Sequence, residues 1–386
     1  MEIQGAGMNS LQAIVKNCSE KENKAGIVST DARLVERLGE ALSQSRIVLS
    51  SSTIEDIAKE AKDFYFVDLG GFDSHLVTAS QVTDIREKRP DSELVLLAPS
   101  YMLSTPQMLL LKTVTEKHLV SIYEKPLPEK AADYRKSIQA LVDHAYKFLH
   151  QPRLIKVGGS IFDLHNEPVI LLNLLDKIKK LHNEGYPIVL TTGGGPRQDT
   201  ERTVSEAYGT TADPKQVLER QAKGITEILG ESAVYIPPQK VTAKKILSVH
   251  QEGKIPVVSL SDNITIPYNQ SDTHTLAIGE MLGLYKAIFA KDTDGVYERD
   301  PKIKTKNGKP LPNKRLPYIY VSDILNGVIN RKDSQGRGEH LVETGALMYL
   351  KLTKHLRAVQ VISGRNPEML CDAINRRHVG SYILRG

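Results

Sequence analysis

Tryptophan is absent from this 386-residue chain, and only two cysteines occur, Cys18 and Cys371. Neither has another cysteine or a histidine nearby at metal-ligand spacing. A disulfide framework and a structural zinc site are therefore not expected, and a reducing cytoplasm is the natural setting. No apolar run approaches the roughly 18 residues that span a membrane. Met1–Ser19 lacks the basic-then-apolar order of a signal peptide. The expectation is a cytoplasmic protein with no membrane partner. Charge of one sign is also lacking: 51 basic residues stand against 46 acidic ones, and the net +5 is spread along the chain. That distribution describes a solvated surface, so no nucleic-acid partner is expected. There is no Gly-x-x-x-x-Gly-Lys-Ser/Thr run, which excludes a P-loop enzyme. There is no His-Arg-Asp or Asp-Phe-Gly set, which excludes a protein kinase. Repeats of fixed period and low-complexity tracts are missing as well.

What is present is an ordinary globular composition, 40% hydrophobic and 25% charged. The length suits two or three domains of roughly 100–200 residues each. Residues 1–24 read as a polar tail, with one short helix at Leu11–Lys16. Short apolar strands then alternate with amphipathic helices. Strands are expected at Ala25–Ser29, Arg46–Ser50, Phe64–Leu69, Glu93–Ala98 and Leu119–Tyr123. Helices are expected at Ala32–Ser43, Thr53–Lys62, Ser74–Lys88, Thr105–Thr115 and Pro128–Leu149. Five such repeats predict a parallel sheet with helices on both faces, over residues 25–148. Leu149-His150-Gln151-Pro152-Arg153 breaks the pattern and marks a domain boundary.

The second half, residues 153–386, repeats the β/α alternation. Its strands are expected at Arg153–Val157, Pro187–Thr191, Pro256–Leu260, Ala287–Ala290, Ala358–Ile362 and Ser381–Leu384. Its helices are expected at Val169–Glu184, Lys215–Leu229, Ala243–Gln251, Ser271–Leu282, Val321–Asn326, His340–Lys354 and Pro367–Arg376. The first of these carries Leu172, Leu175, Ile178 and Leu181 at three-residue steps.

Three segments of this half carry chemistry. Lys156-Val157-Gly158-Gly159-Ser160 is a strand end with a lysine followed by bare backbone. Glycines let main-chain N–H groups approach an anion, and Ser160 can start a helix whose N–H groups face it. A plain turn is the alternative reading. Lys156 is expected on an exposed loop, where its loss would hardly affect folding. Gly193-Gly194-Gly195-Pro196 also follows a strand, and Arg197 comes at once to pair with an anionic group. In open α/β sheets ligands bind beyond the carboxyl ends of strands, so both glycine turns point to one edge. Lys291 ends a buried strand. Asp292, Asp294, Gly295, Tyr297 and Asp300 follow it, either as a cradle for an adenine or as an Asp-Gly turn with a surface tyrosine. Asp272, in Ser271-Asp272-Thr273, opens a helix. It reads as an N-cap that can also hold two lysines in place. Lysines at two strand ends suit phosphoryl transfer, which needs charge neutralisation more than covalent chemistry.

On these motifs, residues 153–386 resemble the amino acid kinase family, whose members include acetylglutamate kinase, uridylate kinase, isopentenyl phosphate kinase and the molybdenum storage protein. Leu154 to Ser160 is similar to the family's first phosphate loop, and Gly193 to Pro196 to its acceptor-side loop. Ser271-Asp272-Thr273 is similar to the acidic position that organises the lysines. Lys291 to Tyr297, with Asp300-Pro301, is similar to the nucleotide loop. Val359 to Gly364 and His378 to Ser381 resemble the end of the uridylate kinase and molybdenum storage branch.

The resemblance implies an ATP-dependent kinase acting on a small acidic acceptor, either a carboxylate or a phosphate monoester such as a nucleoside monophosphate. Lys156, Lys291 and Asp272 would be its catalytic residues. Gly158, Gly159, Ser160, Asp292, Asp294, Gly295, Tyr297 and Asp300 would bind nucleotide, and Gly193, Gly194, Gly195 and Arg197 the acceptor. No protein-held metal is expected, with Mg²⁺ carried mainly on nucleotide oxygens. A homo-oligomer is implied. The alternative is a nucleotide-binding protein that stores or senses an oxyanion.

Residues 25–148 resemble a response-regulator receiver domain. Val67-Asp68-Leu69 stands where a receiver carries its phosphoacceptor, and Glu124-Lys125-Pro126-Leu127 where it has Lys-Pro. Asp31 is the only acid near the end of the first strand, where receivers place a metal-binding pair. A degenerate scaffold for assembly or regulation is the reading adopted. The fold expected for the chain is thus two three-layer α/β domains, one flavodoxin-like and one of the amino acid kinase type.

Overall fold

The computed structural model describes residues 23–29, 32–44, 47–51, 64–69, 93–98, 121–124, 131–162, 168–195, 207, 214–262, 264, 271–298, 314–326, 342–375 and 377–385. The helices expected at 11–16, 53–62, 74–88 and 105–115, together with Asp31, Lys125, Arg197 and Asp300, lie outside these residues. The chain divides into two compact units, with the break between Gln151 and Pro152.

The N-terminal unit contains β1 (Asn23–Val28), α1 (Ala32–Ser43), β2 (Ile47–Ser51), β3 (Phe64–Asp68), β4 (Glu93–Ala98), β5 (Ser121–Glu124) and α2 (Ala131–His150). Its five strands are all parallel, in the order β2-β1-β3-β4-β5. That is the strand order of flavodoxin-like doubly wound sheets, a scaffold shared by many functions. β1 starts earlier than the expected end of the tail, because Asn23 and Lys24 pair with Ile47 and Val48. Phe64–Val67 and Leu94–Ala98 are buried in succession, the pattern of central parallel strands. Leu34, Leu38 and Leu42, one turn apart, form the buried stripe of α1, which packs against α2.

The C-terminal unit runs β6 (Arg153–Val157), α3 (Gly159–Phe162), α4 (Pro168–Asn183), β7 (Ile188–Thr192), α5 (Pro214–Leu229), β8 (Ala233–Ile236), α6 (Ala243–Gln251), β9 (Ile255–Val258), α7 (Ser271–Met281) and β10 (Lys286–Lys291). After these come the strands β11 (Val296–Tyr297), β12 (Arg315–Leu316) and β13 (Tyr318–Tyr320), then α8 (Val321–Leu325), α9 (Thr344–Leu352), β14 (Ala358–Ser363), α10 (Pro367–Ile374) and β15 (Ser381–Leu384). Eight strands form one sheet in the order β13-β15-β14-β10-β6-β7-β9-β8. β14 and β15 pair antiparallel, and every other neighbouring pair in this sheet is parallel. β11 and β12 make a separate two-stranded ribbon.

The side chains of successive strand residues leave opposite faces of the sheet, and two cores follow from that alternation. Leu154, Val189, Ala287 and Phe289 join α6, α7, α8 and α9 on one face. Ile155, Leu190, Ile288 and Ala290 join α3, α4, α5 and α10 on the other. The unit is therefore a three-layer α/β sandwich. Along α4 the buried residues are Leu174, Leu175, Ile178 and Leu181, while Leu172 is exposed. A strict three-residue step drifts off a face whose turn is 3.6 residues long, and Leu174 takes the inward position instead. The strands β8 and β13 and the β11–β12 ribbon were not expected from sequence. They are edge or two-residue elements with little apolar periodicity.

Candidate active site

β10, β6 and β7 are neighbours in the sheet and end at the same edge. Phe289 stands opposite Lys156, and Lys156 opposite Thr191. Lys291 lies two residues beyond Phe289. Parity therefore puts Lys156, Phe289, Lys291 and Thr191 on one face of the sheet, the face covered by α7. Thr191 Oγ1 and Thr275 Oγ1 of α7 lie 2.9 Å apart, tying strand to helix.

The first turn of α7 delivers Ser271 and Asp272 to this edge. Asp272 is 1% exposed, and its Oδ1 accepts from the Nζ of Lys156. Lys291 Nζ donates to both carboxylate oxygens, at 3.2 and 3.3 Å. Lys156 Nζ also donates to Ser271 Oγ at 2.7 Å. The two ammoniums sit 5.4 and 5.5 Å from the centre of the Phe289 ring, whose face adds cation–π attraction. One carboxylate thus bridges two lysines over an aromatic floor.

The expectation of an exposed loop position for Lys156 is wrong. It lies inside β6 and is 1% exposed. The strand continues one residue past the lysine, and α7 covers its side chain. Burial pulls its ammonium down from the ordinary lysine range, and the Asp272 carboxylate opposes that pull. Burial pushes Asp272 up, but Lys156 and Lys291 outweigh it and hold the carboxyl well below the usual range. Asp272 is not used as a conventional N-cap either, since its oxygens go to the lysines and to the backbone N–H of Glu343, 3.1 Å from Oδ2.

The two glycine segments meet directly. Gly158 N donates to Ala290 O at 2.8 Å, and Gly193 N to Val157 O at 2.9 Å, so both turns leave strand ends with their backbones pinned. A Cβ on Gly159 would collide with the nitrogen and Cα of Gly195. Gly195 has φ +59°, and a Cβ there would strike the Gly159 carbonyl. Both collisions are with backbone, which cannot swing aside, so only glycine permits this crossing. Gly194 O accepts from Gln221 Nε2 of α5 at 3.4 Å. Ser160, in α3, is partly exposed at the same edge.

The loop after β10 is braced from within. Tyr297 OH donates to Asp294 Oδ1 at 2.5 Å, and Arg315 NH1 donates to Asp294 Oδ2 at 3.0 Å. Val296 N donates to Ser381 Oγ at 2.8 Å, beside the buried Gly295. Asp292 is partly exposed. Asp294 and Tyr297, expected to line a nucleotide, are thus bonded to one another and shape their own loop. Among the described residues, no group of three or more His, Cys, Asp or Glu side chains is placed to hold a metal.

Sequence reasoning missed Glu343, which precedes α9. Its Oε2 accepts from Asp272 N at 3.1 Å and its Oε1 from Ser271 Oγ at 3.4 Å. Burial and the charge of Asp272 raise its carboxyl above the ordinary glutamate range. The contact spans 71 positions of sequence, and nothing local to Glu343 announces it.

Residues 151–338 match the amino acid kinase family. This stretch is an amino acid kinase family domain. The molybdenum storage protein subunit beta of Azotobacter vinelandii is 24% identical over 255 residues, covering 62% of this chain and 87% of that protein. The uridylate kinase of Hyperthermus butylicus is 24% identical over 237 residues, covering 60% of this chain and 97% of that enzyme. Among solved structures, the UMP kinase of Bacillus anthracis aligns with TM-score 0.48 at 15% identity, covering 61% of this chain and 96% of that one. Lys156, the glycine crossing, Asp272 and Lys291 all fall inside the amino acid kinase domain, and Glu343 lies just beyond its matched end.

Proposed function

We propose that this chain catalyses ATP-dependent phosphoryl transfer to a small acidic acceptor, a carboxylate or a phosphate monoester such as a nucleoside monophosphate. One observation carries the reading: two lysines from adjacent strand ends share a single buried carboxylate beside a backbone-only glycine crossing. Phosphoryl transfer leaves the protein little covalent work. Its demand is for positive groups held in place where charge accumulates. Lys156 and Lys291 would neutralise the transferring group, and Asp272 would aim them. Gly158, Gly159 and Ser160 would cradle phosphates. Asp292, Asp294, Gly295, Tyr297 and Asp300 would line the nucleotide, whose bound Mg²⁺ would rest on the nucleotide's own oxygens. Gly193, Gly194, Gly195 and Arg197 would receive the acceptor. Uridylate kinases among the relatives support the phosphate-monoester class, and a glutamate 5-kinase from Meiothermus ruber, 21% identical, supports the carboxylate class.

The proposal extends to a cytoplasmic homo-oligomer built on residues 153–386. No helix among the described residues is long and apolar enough to cross a membrane. The N-terminal unit is proposed as a degenerate receiver-like scaffold, supported by its strand order.

A second reading, nucleotide-dependent storage or sensing of an oxyanion, is favoured by the similarity to the molybdenum storage subunit. A single experiment separates the two. The chain is incubated with Mg²⁺-ATP and a panel of nucleoside monophosphates, other phosphate monoesters and amino acid carboxylates, and phosphorylated product is followed. Turnover on one class of acceptor supports the kinase. No product from any acceptor, with molybdate retained on the protein during equilibrium dialysis only when ATP is present, supports storage.

A further inference from the structure

Helices α7 and α9 pack side by side, and a carboxylate fastens them at each end. At the end remote from the lysines, the Glu280 carboxylate at the close of α7 accepts backbone N–H bonds from Lys354, His355 and Leu356, just after α9. At the lysine end the fastening is reciprocal. Asp272 N donates to Glu343 Oε2 and Glu343 N donates to Asp272 Oδ2, each at 3.1 Å. The two fastenings differ in what they hold. Glu280 holds backbone only, whereas the second bond at Glu343 lands on the carboxylate that bridges Lys156 and Lys291.

We propose that Glu343 is a positioning residue of the lysine clamp: it latches the start of α9 to the first turn of α7 and thereby turns Asp272 toward both lysines. The inference rests on the phosphoryl-transfer reading. An aspartate side chain has a broad terminal torsion, so its hydrogen bonds help to set the angle. Oδ2 accepts from the Glu343 N–H and from Lys291 Nζ, and this anchoring leaves Oδ1 directed to both ammoniums. Glu343 also completes a chain through Ser271 Oγ to Lys156 Nζ, with steps of 3.4 and 2.7 Å. The charged groups facing Glu343 are Asp272 from α7, Lys156 from β6 and Lys291 from β10. Two lysines thus face two carboxyl groups at this edge.

The test compares Glu343→Ala, Glu343→Gln and Glu280→Ala in the full chain. Glu343→Ala is expected to lower kcat about tenfold or more while the KM for ATP moves less than about threefold, because misaimed groups lose transition-state contacts before they lose ground-state binding. Glu343→Gln keeps an oxygen for Asp272 N and is expected to recover kcat to within about threefold of wild type. Glu280→Ala should lower the melting temperature with kcat per folded molecule within about twofold. Equal losses of kcat in Glu343→Ala and Glu280→Ala would mean that the latch is only structural, and would overturn the proposal. A second readout needs no turnover. Amide exchange at Asp272 in the unliganded chain should speed up in Glu343→Ala and stay slow in Glu343→Gln. Unchanged protection in Glu343→Ala overturns the latch. Absence of turnover in the wild type would count against the kinase reading alone, because the exchange measurement still decides.

Discussion

Both units of this chain are built on largely parallel sheets, yet among the described residues their buried charged side chains lie at opposite ends of the strands. In the C-terminal unit Lys156, Thr191, Asp272 and Lys291 gather where the strands finish. In the N-terminal unit the buried charge among the described residues is Glu93, 1% exposed, at the first residue of β4. It bonds His144 of α2 at 2.8 Å, and the rings of Phe64 and Tyr123 pack around that imidazole. Carboxyl ends of parallel strands are where such sheets bind ligands. A pair at the amino end is a structural anchor that joins the closing helix to the sheet. Among the described residues, the location of buried charge relative to strand direction thus differs between the two sheets.

The comparison breaks most readily at Lys156. Lys156→Ala should reduce phosphoryl transfer at least about a hundredfold, the loss expected for a charged transition-state contact. Because this lysine is buried against Asp272, the substitution should also cost roughly 3 kcal/mol of stability. Rates must therefore be normalised to the folded fraction. Near-normal turnover per folded molecule would remove Lys156 from the chemistry.

A contrast of glycines sharpens the difference between the units. Gly159→Ala drives a Cβ into Gly195 and should cost about 1–3 kcal/mol by overpacking, with loss of turnover as the crossing opens. Gly39 lies within α1, where a Cβ meets only Leu49 Cδ2 at 3.8 Å. Gly39→Ala should stabilise by about 0.5–1 kcal/mol through helix propensity and a less flexible unfolded chain. Thermal melts of the two variants moving in the same direction would contradict this account.

Acid should act on the C-terminal unit through His250. Burial, with the nearby His182, pulls its pKa down to about 3. The unfolded chain takes up a proton near pH 6.5 while the folded chain resists it, so stability falls as pH drops from 6.5 toward 3. His274, pulled down to about 4 by burial and then by Lys215, adds in the same sense. Guanidinium unfolding at pH 7 and pH 5 should show His250→Asn losing about 2 kcal/mol less than wild type over that interval. Equal losses would mean that His250 is not held neutral.

The smallest expected effect is at Asp68, the last residue of β3. A receiver needs a bound metal to draw a phosphoryl group onto its aspartate. Asp31 is the only acid the sequence offers at the end of the first strand. Acetyl phosphate with Mg²⁺ should leave the mass of the chain unchanged. An added phosphoryl group that disappears in Asp68→Asn would show a working receiver and erase the functional contrast between the units.

The elements with strong apolar pattern were legible from the chain. Glu93–Ala98, Arg153–Val157 and Ala32–Ser43 have the bounds read from their residues. Lys156, the glycine segments and Lys291 could be picked out because each sits at a strand end, and a strand end is a local signal carried by a handful of neighbouring residues. The limits of that reading are physical. Leu172 was misread because small errors of phase accumulate along a helix, and packing against α5 and α10 decides which phase is buried. The burial of Lys156 was invisible because the cover, α7, arrives more than a hundred positions later. Glu343 carries no local pattern at all. Sequence alone determined two sets of parallel strands and the chemistry available at one edge of the second. Tertiary structure decided which carboxylate meets which ammonium, since hydrogen bonds and burial act between groups brought together by sheet order, and sheet order is not written in any short stretch of chain.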